Sequence, residues 1–161
     1  MHRKRKLIEH LIMQLNAIYQ TALTAAKRAH STATDKANVA ENKYDTLGLE
    51  AAYLAEGQAK RASECRADLE AIQNLTALDY SLNDPIVVGS LVILIDQNEK
   101  SLSLFLAPVS GGLKFVFEDQ TMVVITPSSP LGKILRGKFV DDEFEFGSAQ
   151  HKKNYRISDI S

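Results

Sequence analysis

The stretch Ile72-Gln73-Asn74-Leu75-Thr76-Ala77-Leu78-Asp79-Tyr80-Ser81-Leu82-Asn83-Asp84-Pro85-Ile86-Val87-Val88 divides the chain, because the hydrophobic period changes across it. Upstream there is no proline, and glycine occurs only at Gly48 and Gly57; all four prolines and the other six glycines lie downstream. Proline removes a backbone donor and glycine adds unfolded-state entropy, so both punctuate helices. The upstream part therefore reads as helix, and the downstream part as strands and turns.

Upstream, Ile8, Leu15, Ala22 and Ala29 recur every seven residues, with Leu11, Ile18 and Ala25 interleaved and Ile12, Tyr19 and Ala26 beside them. This is a narrow helical stripe that grades from Leu/Ile to Ala. A second stripe, Ala51, Leu54, Ala55, Gln58, Ala62, Cys65, Leu69 and Ile72, grades the other way. Opposite gradients suit an antiparallel coiled-coil pair, in which the large residues meet at one end. The alanine end buries little area and is expected to be the less stable. Between the stripes, His30 to Asp45 is polar, with Ser31, Thr32, Thr34, Asp35, Asn38 and Asn42. It suits the tip of an αα-hairpin, placed at residues 31–45. Roughly 27 helical residues would give an arm on the order of 40 Å.

Downstream, Ile86-Val87-Val88 and Leu91-Val92-Ile93-Leu94-Ile95 are β-branched and apolar. Asp96-Gln97-Asn98-Glu99 is a polar turn, after which Leu102, Leu104 and Leu106 alternate. Gly111-Gly112 marks another turn before Leu113, Phe115 and Phe117, and Met122–Ile125 is a further apolar run. Ser129 and Pro130 suit the cap and first position of a short helix over Leu131–Arg136. Two last strands are expected at Phe144–Phe146 and Tyr155–Ile160. The fold class is α+β: a helical hairpin over residues 1–78, then an antiparallel sheet domain with one short helix over 79–161.

Of the 161 residues, 45% are hydrophobic and 24% charged, which excludes wholesale disorder. A net charge of -1 gives no global reason to bind free nucleic acid. Cys65 is the single cysteine, which rules out an intrachain disulfide and cysteine-based zinc sites. The basic start Arg3-Lys4-Arg5-Lys6 reads either as a solvated terminus or as a contact to phosphates. It is not followed by a continuous apolar run, and Ile86–Ile95 is too short to cross a bilayer. A soluble cytoplasmic protein with no membrane partner is expected. His10 and His30 stand apart without ligand-like neighbours, and there is neither a phosphate-cradling glycine loop nor a nucleophile elbow.

Two stretches together resemble the GreA/GreB-type (Gre) bacterial transcription elongation factors. One is Ile125-Thr126-Pro127-Ser128-Ser129-Pro130-Leu131-Gly132-Lys133-Ile134-Leu135-Arg136-Gly137-Lys138 followed by Asp141-Asp142-Glu143-Phe144, with Tyr155-Arg156-Ile157 near the end. The other is Ala40-Glu41-Asn42 with Lys43-Tyr44-Asp45-Thr46, similar to a variant subgroup of Gre-like proteins. The resemblance covers nearly the whole chain with the domain order kept. It implies an FKBP-like C-terminal domain, and a monomeric accessory factor that is not itself an enzyme. The implied partner is bacterial RNA polymerase, met through Ser129, Pro130, Leu131 and Gly132, with indirect action on the nascent RNA 3′ end and on DNA-bound transcription.

The resemblance further implies that the hairpin enters the polymerase secondary channel, where acidic tip residues help hold a second Mg²⁺ and backtracked RNA is cleaved. The chain would bind no metal of its own. Glu41 aligns with the family's tip glutamate, which puts Asn38 in place of the paired aspartate; Asp35 and Asp45 are the nearby carboxylates that would substitute. If the tip is helical, Glu41 and Asp45 share a face. Ser128 stands where the family tends to carry an acidic residue. Two other functions fit the residues: a non-cleaving regulator seated in the same channel, and a coiled-coil/FKBP-like chaperone or interaction module.

Overall fold

A computed structural model describes residues 2–34, 46–77, 83–148 and 151–161. They form two compact units, one of Ile12–Glu70 and one of Met1–Leu11 with Ala71–Ser161.

The first unit is helical. Helix α1 (His2–Thr34) and helix α2 (Thr46–Gln73) supply it, and they contain no proline. At 1.5 Å per residue, the 33 residues of α1 span about 50 Å. The pair is antiparallel: Gln14–Ala25 of α1 faces Gln58 and Arg61, while Ala26–Thr34 faces Ala52–Ala59. Burial follows the size gradient. Leu15, Ala22, Ala62 and Leu69 are buried, whereas no described residue from Leu23 to Thr34 or from Thr46 to Arg61 is. Alanine seams bury too little side chain to close the space between the helices.

Two expectations need correction here. Leu54, placed in the seam by its spacing, is 57% exposed. The first residues assigned to the tip, Ser31 to Thr34, belong to α1. Thr32 and Thr34 donate their hydroxyls to the carbonyls of Arg28 and His30 at 3.1 and 2.9 Å, and this back-bonding makes polar residues compatible with a helix end. Residues 35–45, the rest of that tip, lie outside the described residues.

The second unit is built on a six-stranded sheet of β1 (Leu91–Asp96), β2 (Ser101–Leu106), β3 (Lys114–Phe117), β4 (Gln120–Ile125), β5 (Glu143–Phe146) and β6 (Lys153–Ile160). The strand order is β3-β4-β2-β1-β6-β5. The sheet is mixed rather than wholly antiparallel: β4 runs parallel to β2, with Phe105 beside Val124. The reason is that β3 lies outside β4 in the strand order, joined to it by a hairpin. Its two-residue loop, Glu118-Asp119, has φ of 50° and 60°, the twist a tight hairpin demands. The loop after β2 brings β3 to the sheet's outer edge, so β4 returns alongside β2 in the same direction. Ile86–Val88 is not a strand. Ile86 instead exchanges backbone hydrogen bonds with Gly137 and Lys138 at 2.8 Å each.

Period-two alternation gives the sheet two apolar faces. Val92, Leu94, Leu104, Leu106, Ile125, Ile157 and Ile160 form one core with Ile86 and with Leu135 of helix α3 (Pro130–Leu135). Leu91, Phe105, Met122, Val124, Phe115 and Phe117 are buried on the other. The first turns of α1 cover part of this second face, where the His10 ring stacks on Phe115 at 5.5 Å and lies 5.9 Å from Phe117. Arg3 pairs with Glu118 at 2.8 Å and Lys4 is buried, so the basic start is a docked helix turn and not a solvated tail.

Candidate functional site

The segment Thr126–Arg136 is held by a tight set of hydrogen bonds. Ser129 N donates to the Thr126 carbonyl at 3.0 Å, and Ser129 Oγ donates to the same oxygen at 2.7 Å. Ser129 Oγ in turn accepts from Gly132 N at 3.1 Å, capping α3, while Pro130 takes the first helical turn where its missing N–H costs nothing. Gly132 is buried, and a Cβ on it would run into the Thr126 carbonyl and come within 2.9 Å of Ser129 Oγ. Leu135 is fully buried, and Leu131 packs against the same core.

The four residues expected to touch a partner therefore divide. Ser129 and Gly132 are used inside the turn, Leu131 is half-buried, and Pro130 is exposed. Around them Ser128, Lys133 and Arg136 are also exposed, and Lys133 and Arg136 form no ion pair among the described residues. The segment is a hydrogen-bonded turn with Ser128, Lys133 and Arg136 exposed at its edge.

The acidic candidates Asp35, Glu41 and Asp45, with Asn38, lie outside the described residues. The helices on either side end at Thr34 and begin at Thr46. Next to these ends the helical pair is open, with a groove of about 820 Å³ lined by Ala26, His30, Ala33, Ala52, Ala55 and Ala59. Nearer the middle of the pair is a second groove of about 510 Å³, lined by Ile18, Ala22, Gln58 and Arg61 among others.

A third feature was legible in the sequence only as a turn. The Asp96 side chain is 3% exposed; its Oδ1 accepts from Asn98 N and Lys100 N at 2.9 and 3.0 Å, and its Oδ2 from Lys153 Nζ at 3.0 Å. The Lys100 backbone N–H and then Lys153 hold its carboxyl below the ordinary range. Lys153 is raised in return, chiefly by its hydrogen bond to Asp96. Asp96 borders an open cavity of about 480 Å³ with Glu143, Glu145, Tyr155 and Arg156. Its hydrogen-bonding capacity is spent on the turn, so it ties β1, β2 and β6 together and is not poised for proton transfer. Among the described residues no three His, Cys, Asp or Glu side chains converge as a metal site, and no helix is long and apolar enough to cross a membrane.

The described residues form a pair of antiparallel helices and a mixed six-stranded sheet with a capped turn at the start of α3. No family model and no curated protein matches the chain. Solved structures similar to it include Gre-type factors. "GreA factor homolog 1 (Gfh1)" of Thermus thermophilus is 20% identical over 97% of this chain and 93% of that one, with a TM-score of 0.39. Thermus aquaticus Gfh1 is 21% identical over 99% and 95%, also at 0.39. The elongation factor GreA/GreB from Nitrosomonas europaea is 21% identical over 70% and 92%, at 0.38. Likeness at these scores transfers no residue role.

Proposed function

We propose that the chain is a Gre-like accessory factor that binds bacterial RNA polymerase, inserts its hairpin in the secondary channel and stimulates cleavage of backtracked RNA. One arrangement supports this reading most. Two long antiparallel helices flank an eleven-residue segment, 35–45, that carries Asp35, Glu41 and Asp45. A pair of helices linked in sequence by a carboxylate-bearing segment suits delivery of charge into a confined site that belongs to another molecule. Carboxylates are the hard oxygen donors that Mg²⁺ accepts, and a few suffice because the ion keeps several waters and other ligands. When bound at the polymerase centre, the ion would activate water and stabilise the leaving oxygen. The rigid turn at Ser129–Gly132, with Pro130 outward, is assigned the docking role.

The test is RNA shortening in a backtracked elongation complex, with polymerase association measured in parallel. Wild type is expected to bind and shorten the RNA. Glu41→Ala and Asp45→Ala are expected to bind equally and cleave less. Absence of any polymerase association ends the proposal.

Asn38 favours a second reading, a non-cleaving regulator in the same channel, since an amide offers a carbonyl oxygen without charge. Binding that alters initiation while leaving backtracked RNA intact would select it.

A further inference from the structure

The outward face of α3 continues beyond the turn assigned to docking. Pro130, Lys133 and Arg136 follow one another at spacings of three and are all exposed, while Gly132 and Leu135 are buried. Lys133 and Arg136 form no ion pair among the described residues. Past Arg136, Gly137 N donates to the Ile86 carbonyl and Ile86 N donates to the Lys138 carbonyl, each at 2.8 Å. The two segments thus run antiparallel, which carries Val87 back toward Arg136. Val87 is 38% exposed, yet its backbone is fixed on both sides. Its N–H donates to Ser90 Oγ at 3.1 Å and its carbonyl accepts from Ser90 N at 3.0 Å, with Ser90 fully buried. An apolar side chain is therefore pinned in the open beside two cations without a described counter-charge.

We propose that this face docks an acidic, partly apolar helix of the polymerase, with one carboxylate on Lys133, another on Arg136 and apolar contacts at Pro130 and Val87. The proposal rests on the polymerase-binding reading above and names the chemistry of the surface that reading requires. Three residues of α3 separate the two cations by about 4.5 Å along its axis. Carboxylates three or four residues apart on a partner helix stand at about 5–6 Å, so the two rows match. Arg136 is the anchor, because its planar fork grips a carboxylate with two hydrogen bonds. The backbone beneath needs little ordering: Ser129 caps α3, and Arg136 N donates to the Gly132 carbonyl at 3.0 Å. A phosphate backbone would ask for a longer basic track, whereas Asp141, Asp142 and Glu143 follow shortly after these cations and the chain's net charge is -1.

Association of the full chain with bacterial core RNA polymerase, followed over a series of salt concentrations, tests the docking chemistry apart from RNA cleavage. Far-UV circular dichroism and urea titration are the controls. Wild type is expected to bind less tightly as salt rises. Lys133→Glu and Arg136→Glu should each lower the association constant at least about fivefold and flatten its salt dependence, with helicity and urea midpoint unchanged. Lys133→Arg, which keeps the charge, should bind like wild type. Val87→Ser should weaken binding and leave the salt dependence as it was. Lys133→Gln and Arg136→Gln give the same readout with less disturbance of α3. Reversals that bind polymerase like wild type overturn the proposal and leave the polymerase reading standing; a wild type with no polymerase association overturns both. Losses of binding matched by a lower urea midpoint in the Gln variants also overturn it, because the cations would then serve only the end of α3.

Discussion

Replacing Gly57 by alanine isolates what holds the outer half of the helical pair together. The position is interior to α2, its environment is open, and a Cβ there meets nothing within 4 Å. The substitution therefore adds no clash and buries no surface. What remains is backbone entropy, worth about 1 kcal/mol in favour of alanine. From Thr46 to Arg61 no residue is buried, so this part of α2 opens locally instead of only with global unfolding. A gain of about 1 kcal/mol should slow amide exchange in residues 54–61 by about fivefold, while exchange around buried Leu69 and Ile72 stays unchanged. Hydrogen exchange read by mass spectrometry measures both regions at once. Unchanged or faster exchange near residue 57 would refute the reasoning, because it would mean the glycine serves a backbone conformation or contact that alanine cannot supply.

Other perturbations have equally direct outcomes. Leu135→Ala empties a fully buried site in the main core and should cost about 2–5 kcal/mol, read as a lower denaturation midpoint. Ser129→Ala removes the α3 cap and should cost about 1 kcal/mol. Gly132→Ala should be the more damaging of the two in the same urea titration, since its Cβ meets backbone that cannot yield. Because the folded Asp96 carboxyl ionises below its ordinary value of 3.8, its contribution is complete above that value and drains away as pH falls through the folded-state value. Asp96→Asn should therefore flatten the acid limb of the stability profile and, because Lys153 loses the partner that raises it, weaken the loss of stability at alkaline pH as well.

Much of the fold was legible because each signal was local. The absence of proline and the scarcity of glycine upstream of residue 80 mark two helices, and Ser129 with Pro130 marks the start of α3 to the residue. The alternation of Leu102, Leu104 and Leu106 marks β2, but alternation says nothing about which strand lies beside it or in which direction. The parallel β2–β4 pair follows from β3 lying at the sheet's edge and β4 returning inside it through the turn at Glu118 and Asp119, two residues with no glycine to announce it. Ile86–Val88 looked like a strand on propensity alone, yet its bonding partners, Gly137 and Lys138, come from the far end of α3. The seam of α2 was read correctly where large residues fill it and wrongly at Leu54, because two heptad stripes overlap on one helix and spacing cannot choose between them. At the turn before α3 the sequence marks the helix start, but not that Ser129 and Gly132 are consumed internally while Pro130 is left outward.

The placement of β6 between β1 and β5 has a consequence for how the protein is made. During synthesis both neighbours exist before residues 153–160 do, and each exposes an unsatisfied row of backbone donors and acceptors until that segment arrives to separate them. The nascent chain thus carries two sticky margins, that of β1 for far longer than that of β5, and the emergence of residues 153–160 from the ribosome seals both.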